Sequence, residues 1–260
     1  MRIVNVLFFI FVAAAIAGDR RGVVLDGFIY PLSDRPTPAC HASTVVQTSQ
    51  GTICAAWFGG TKEGNADVGI WFARYVKNRW SKPVLVADGQ WTLGRRWPCW
   101  NPVLYQIPSG PLVLFFKVGA DPDTWWGEMI FSHDDGVTWR DRATLPAGGI
   151  GPVKNKPVTL ADGSMLCPSS SEHQHWRVHF ELSGDQGKSW QTVGPINDGV
   201  NDPAIQPAIL QHGDGRLQAL CRAQKAGLVL QTWSTDQGRS WSPLLATTVE
   251  IGRASCRERV

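Results

Sequence analysis

SHDDGVTW at Ser132–Trp139, SGDQGKSW at Ser183–Trp190 and STDQGRSW at Ser234–Trp241 are one pattern, Ser-x-Asp-x-Gly-x-x-Trp, written three times. Their starts fall 51 residues apart. A fixed period of that length marks a repeat architecture, in which each unit buries its apolar face against its neighbours. Each position has a mechanical reason. Asp134, Asp185 and Asp236 can accept hydrogen bonds from N–H groups of their own turn. Gly136, Gly187 and Gly238 supply the positive φ such a turn needs. Trp139, Trp190 and Trp241 plug the turn into the layer beneath it.

A second repeat keeps the same register. Ser49-Gln50-Gly51, Pro108-Ser109-Gly110, Ala161-Asp162-Gly163 and Gly213-Asp214-Gly215 each separate two apolar runs, as Gly-bearing hairpin turns do. Aligning both repeats predicts four antiparallel blades, about 39–90, 97–146, 150–197 and 202–250. First strands begin near His41, Asn101, Asn155 and Ala204. Blade one carries a worn box, Ala73 to Trp80, which keeps the Trp and has lost the Asp and Gly.

The ends read differently. Arg2, the apolar run Val4–Ala15 and Ala15-Ile16-Ala17 have the layout of a signal peptide over 1–17, and the run is too short to span a bilayer. The expectation is a secreted protein, extracellular or periplasmic, with no membrane contact after cleavage. Residues 251–260 leave the repeat phase, and with Glu250 they are what a common sequencing adapter encodes when read in frame, so the tail reads as an artefact and the propeller as truncated. Arg2 falls in the leader, and Arg253, Arg257 and Arg259 against Glu258 fall in the tail. Without them the formal charge of +3 drops to zero, which removes any argument for a nucleic-acid partner. Cys40, Cys54, Cys99, Cys167 and Cys221 remain, an odd set without metal-ligand spacing. Cys54 and Cys221 sit in apolar runs and read as buried thiols.

The repeated box resembles the Asp-box, or bacterial-neuraminidase repeat, of β-propellers in the sialidase superfamily. WFGGTKEGNADVGIW, RRWPCWNPVL, GPVKNKPV and AIQPAIL resemble the bacterial and plant proteins described as predicted neuraminidases. The resemblance implies a six-bladed propeller of sialidase type, here cut to about four blades, with the boxes joining third and fourth strands. Two departures argue against sialic acid itself. The aromatic-Arg-Ile-Pro motif is replaced by Ala39-Cys40-His41-Ala42, and the second strand ends Phe58-Gly59-Gly60 where Glu-x-Arg is expected. The late-blade Tyr of sialidases has no counterpart, since Tyr30, Tyr75 and Tyr105 are all early.

Strand polarity places first-strand starts and second-to-third loops at one end, and boxes and Gly turns at the other. The first end is the chemically rich one, and mixed aromatic and charged groups suit a sugar. Asp67, in a Gly-rich loop, is the expected acid/base, with Glu63 and His41 as alternatives. Arg96, Lys117, Lys156, Arg177 and Arg222 are expected as cations around one pocket. Trp97, Asn101, Trp126, Lys154, Glu172 and Gln206 complete the expected glycan contacts. His173 and His175 lack a third ligand at fitting spacing, so neither metal nor cofactor is expected. The function expected is a glycosidase of exo-sialidase-like type acting on a glycan. A polysaccharide lyase and a non-catalytic carbohydrate-binding propeller are the alternatives.

Overall fold

The computed structural model describes residues 27–89, 95–225 and 227–250; the leader and the adapter-like tail lie outside them. Apart from a 3-10 turn at Leu32–Asp34 the described chain is all β, arranged as four antiparallel sheets of consecutive strands. Blade one holds β1 (Ala39–Gln47), β2 (Ile53–Gly60) and β3 (Gly69–Val76), with two short outer pieces, β4 (Arg79–Trp80) and β5 (Val84–Ala87), both paired with β3. Blade two is β6 (Cys99–Gln106), β7 (Leu112–Val118), β8 (Trp126–Ser132) and β9 (Arg140–Thr144). Blade three is β10 (Val158–Thr159), β11 (Met165–Ser171), β12 (Arg177–Ser183) and β13 (Gln191–Val193). Blade four is β14 (Ala204–Gln211), β15 (Leu217–Ala223), β16 (Leu228–Ser234) and β17 (Leu245–Glu250). This is the sialidase-type propeller arrangement. One strand departs from expectation: β10 has two residues instead of the six from Asn155, because residues 153–155 bend and Pro157 lacks an N–H for the ladder.

The boxes close as their chemistry requires. Ser183 Oγ donates to Asp185 at 3.0 Å and accepts from the Gly187 N–H at 2.8 Å, while Ser189 donates to the same carboxylate through both its N–H (2.8 Å) and its hydroxyl (2.6 Å). The other boxes repeat these bonds around Asp134 and Asp236. Donors to the carboxylate favour its ionised form, and all three aspartates are held down to about 2. Gly136, Gly187 and Gly238 have φ of 82°, 93° and 78°.

Each box Trp reaches back into the preceding blade. Trp139 meets Phe72 edge-on at 5.1 Å, Trp190 meets Phe115 at 6.1 Å, and Trp241 stacks on Phe180 at 4.0 Å. The box is therefore a clip between blades as well as a turn. The core divides accordingly into clusters between consecutive blades, led by Phe58, Phe72 and Phe116, then Val103 and Phe115, then Leu166 and Phe180. Cys54 and Cys221 are buried thiols, and all five described cysteines are free.

The four Gly turns share one hydrogen bond, from the N–H of Gly51, Gly110, Gly163 and Gly215 to the carbonyl three residues earlier. In blade two the left-handed residue is Ser109 (φ 54°), one place before the glycine. The worn box of blade one turns through Lys77 and Asn78, both left-handed, and packs Trp80 on Tyr75 at 5.4 Å.

Candidate functional site at the first-strand end

Between β2 and β3 the chain makes a loop that Asp67 ties together. Its carboxylate accepts from the Thr61 N–H and the Thr61 hydroxyl, both at 2.9 Å, and Asn65 donates to the same hydroxyl at 2.9 Å. Both oxygens thus have partners in their own loop, the geometry of a loop-closing aspartate. Glu63 is exposed in the same loop. Arg96 reaches the loop from the next blade, donating to the Asp67 carbonyl at 3.4 Å. Trp97 lies under the Arg95 guanidinium, 3.8 Å from the ring centre. His41 packs on Phe58, Phe58 on Trp100 and Trp100 on Trp125, a row of rings along this end.

Lys117 corrects an expectation. It is fully buried rather than facing a pocket, with Nζ donating to the Pro152 carbonyl at 2.7 Å, so it braces blade two against blade three. Burial drives its pKa from 10.5 down to about 7 against the pull of Glu181. Glu181 is buried too. Burial alone would raise its pKa, but His179 at 3.1 Å and the N–H groups of Ile150 and Gly151 at 2.9 and 2.8 Å outweigh it and hold the pKa low. Trp126 turns inward likewise, donating to the buried Glu128 at 2.8 Å. Arg177 donates to the Asp198 carbonyl, in the connection to blade four, at 3.0 Å.

Glu172 responds to charges on the two flanking blades. Glu172 sits between β11 and β12. Burial raises its pKa; Arg222, at the end of β15, pulls it back, and Asp123, from the β7–β8 loop, pushes it up further. The Arg222 guanidinium lies over Trp176, 5.2 Å from the ring centre. The Trp176 carbonyl accepts from the Ala204 N–H at 3.2 Å and from Asn197 at 3.0 Å, fixing this loop to the start of blade four. Trp176 was not among the expected residues, and strand polarity placed Asp123 at this end without assigning it a role. Only the sequence of their loops, rich in Asp, Trp and His, marked them.

The inner strands carry a further repeated feature. β1, β6 and β14 each break register just after they begin, and the residue at the break is left-handed without being glycine: Ala42 (φ 52°), Asn101 (39°) and Gln206 (55°). Pro follows two of them, and in blade three Lys156-Pro157 stands in the same place. Asn155 donates to the carbonyls of Gln206 and Pro207 at 3.0 and 3.1 Å. Lys154 is half-buried and Lys156 exposed. Clefts of about 290, 430 and 170 Å³ lie at the opposite end, each bordered by Gln186 of a box turn.

A crystal structure of a protein of unknown function from Dyadobacter fermentans aligns with 80% of this chain and 68% of its own, at 15% identity and a TM-score of 0.66. The intramolecular trans-sialidase from Ruminococcus gnavus, solved with oseltamivir carboxylate, aligns with 87% of this chain and 75% of its own, at 15% identity and a TM-score of 0.68. The Hadza microbial sialidase Hz136 gives 82% and 48%, at 13% identity and a TM-score of 0.68, so the chain spans about half of that protein's length. At these identities the likeness is one of fold. No curated protein matches the chain by sequence. The family model of the BNR repeat-like domain matches residues 51–257, and the chain belongs to that family.

Proposed function

We propose that this chain carries the glycan site of a sialidase-fold glycoside hydrolase, and that Glu172, rather than Asp67, is its proton donor. The observation behind this is that Asp123 and Arg222, from the two flanking blades, both act electrostatically on the half-buried Glu172, while the Arg222 guanidinium lies over Trp176. Glycoside hydrolysis uses two carboxyl groups in opposite protonation states. Burial shifts Glu172 toward its neutral form, the form a proton donor needs. Asp123 is the second carboxyl group. As the glycosidic C–O bond breaks, the Glu172 proton passes to the departing oxygen. Water adds to the anomeric carbon and gives its proton to Asp123. Arg222 binds substrate hydroxyl or carboxylate oxygens, and Trp176 stacks on the C–H face of the ring.

The test is Glu172→Gln assayed on a panel of aryl glycosides. Loss of roughly 10²–10⁴-fold in kcat with KM held, and loss of the alkaline limb of the pH–rate profile, supports the assignment. Unchanged kcat refutes it. A non-catalytic carbohydrate-binding propeller is the second reading, favoured by the engagement of both Asp67 oxygens with Thr61. Under that reading Glu172→Gln binds sugar as well as wild type, and wild type turns nothing over. We also propose export through a leader at residues 1–17, checked by N-terminal sequencing of the secreted product, which should begin at Gly18.

A further inference from the structure

The first strands are laced side by side through side chains. Thr44 Oγ1 accepts from the Leu104 N–H at 3.3 Å, the Tyr105 and Thr159 hydroxyls are bonded, and Gln211 donates to the Thr159 carbonyl at 2.8 Å. Positions 42, 101, 156 and 206, which open these strands, therefore form one arc at the chemically rich end. Three of the four have the left-handed backbone that glycine adopts freely and other residues adopt at a cost. Bulges of this kind re-aim a side chain. Strain held by surrounding bonds is a signature of functional positions. At Gln206 the holding bonds are explicit: its N–H donates to Ser170 Oγ at 3.1 Å and its carbonyl accepts from Asn155.

Ala42 packs in the core, but the other three side chains make no hydrogen bond within the fold among the described residues. Asn101 and Gln206 are half-buried, and neither carboxamide has a hydrogen-bond partner among the described residues; the exposed Lys156 ammonium has no ion pair among them. Two amides, each offering a donor pair and an acceptor, match adjacent sugar hydroxyls, and one ammonium between them matches a single carboxylate. We infer that Asn101, Lys156 and Gln206 form a recognition arc for a uronic-acid residue, a sugar with several free hydroxyls and one carboxylate. This rests on the glycan reading above and names its substrate class.

The experiment is calorimetric titration of the full chain with α-1,4-trigalacturonate, neutral β-1,4-galactotriose and 3′-sialyllactose, on wild type and on Asn101→Gly, Gln206→Gly and Lys156→Met. Glycine removes the amide while accepting the left-handed backbone, so melting temperatures should hold or rise slightly. Each glycine variant should bind trigalacturonate roughly three- to tenfold more weakly, the loss of one or two neutral hydrogen bonds. Lys156→Met should erase the preference for trigalacturonate over galactotriose. Wild-type binding that all three variants retain overturns the arc and leaves the glycan reading standing. Stronger wild-type binding to sialyllactose or to galactotriose overturns the uronate assignment. No wild-type binding to any of the three overturns the arc and counts against the glycan reading itself.

Discussion

Replacing Lys117 by Met tests whether a fully buried amine braces blades two and three. The ordinary lysine pKa of 10.5 falls to about 7 here, with burial as the first cause and Glu181 and Cys167 opposing it. Between those values the unfolded chain holds a proton that the folded chain lacks, so stability rises with pH from about 7 to 10.5 and is least below 7. At about 1.4 kcal/mol per pH unit, raising the pH from 6 to 9.5 should add roughly 3 kcal/mol to the wild type through this group alone. Met fills similar volume and does not titrate, but it leaves the Pro152 carbonyl without its donor, a pH-independent cost of about 1–3 kcal/mol. Urea unfolding followed by tryptophan fluorescence at several pH values gives both curves. Subtracting them cancels the buried thiol of Cys99, whose raised pKa owes nothing to Lys117 and is common to both proteins. The difference, wild type minus variant, should climb by roughly 3 kcal/mol across that range. Parallel curves would mean that Lys117 is solvated, and the bracing argument would be wrong.

The box aspartates titrate in the opposite sense. Their pKa values near 2 lie below the ordinary 3.8, so their contribution is present above pH 4 and lost as pH falls toward 2; Asp185→Asn should flatten that acid limb in a pH-melting series. Trp241→Ala removes the stack on Phe180 and the bond to the Gly238 carbonyl, and should cost about 3 kcal/mol by chemical denaturation, while Ser240→Ala at the same turn costs about 1 kcal/mol. Gly238→Ala should destabilise by more than 1 kcal/mol, because its φ is 78° and a Cβ would stand 2.6 Å from Leu166 Cδ2; a neutral result by the same assay would refute the close-packing argument.

Little in the site was legible at the level of single residues, and the reason is geometric. Strand polarity put Arg96, Glu172, Gln206 and Arg222 at one end, and that follows from the repeat. Whether a side chain at that end points to solvent or into the neighbouring blade depends on packing between units, and no local pattern encodes it. Lys117 looked like a pocket cation because a lysine in an apolar strand has few other readings; only the Pro152 carbonyl and the Glu181 carboxylate of the next blade reveal a strut. Asp67 was recognisable as a loop carboxylate, but the choice between capping and catalysis lay in Thr61, six residues earlier.

What the sequence determined by itself was the repeating unit. Ser-x-Asp-x-Gly-x-x-Trp closes on its own backbone and side chains within eight residues, so its structure is local and its period sets the blade. What only the tertiary structure decided was everything between units: that each box Trp packs on the preceding blade, that β10 shrinks to two residues, and that Asp123 and Glu172, 49 positions apart, share one electrostatic environment. Those contacts are fixed by how one blade's face meets the next, and that meeting exists only once the blades are stacked.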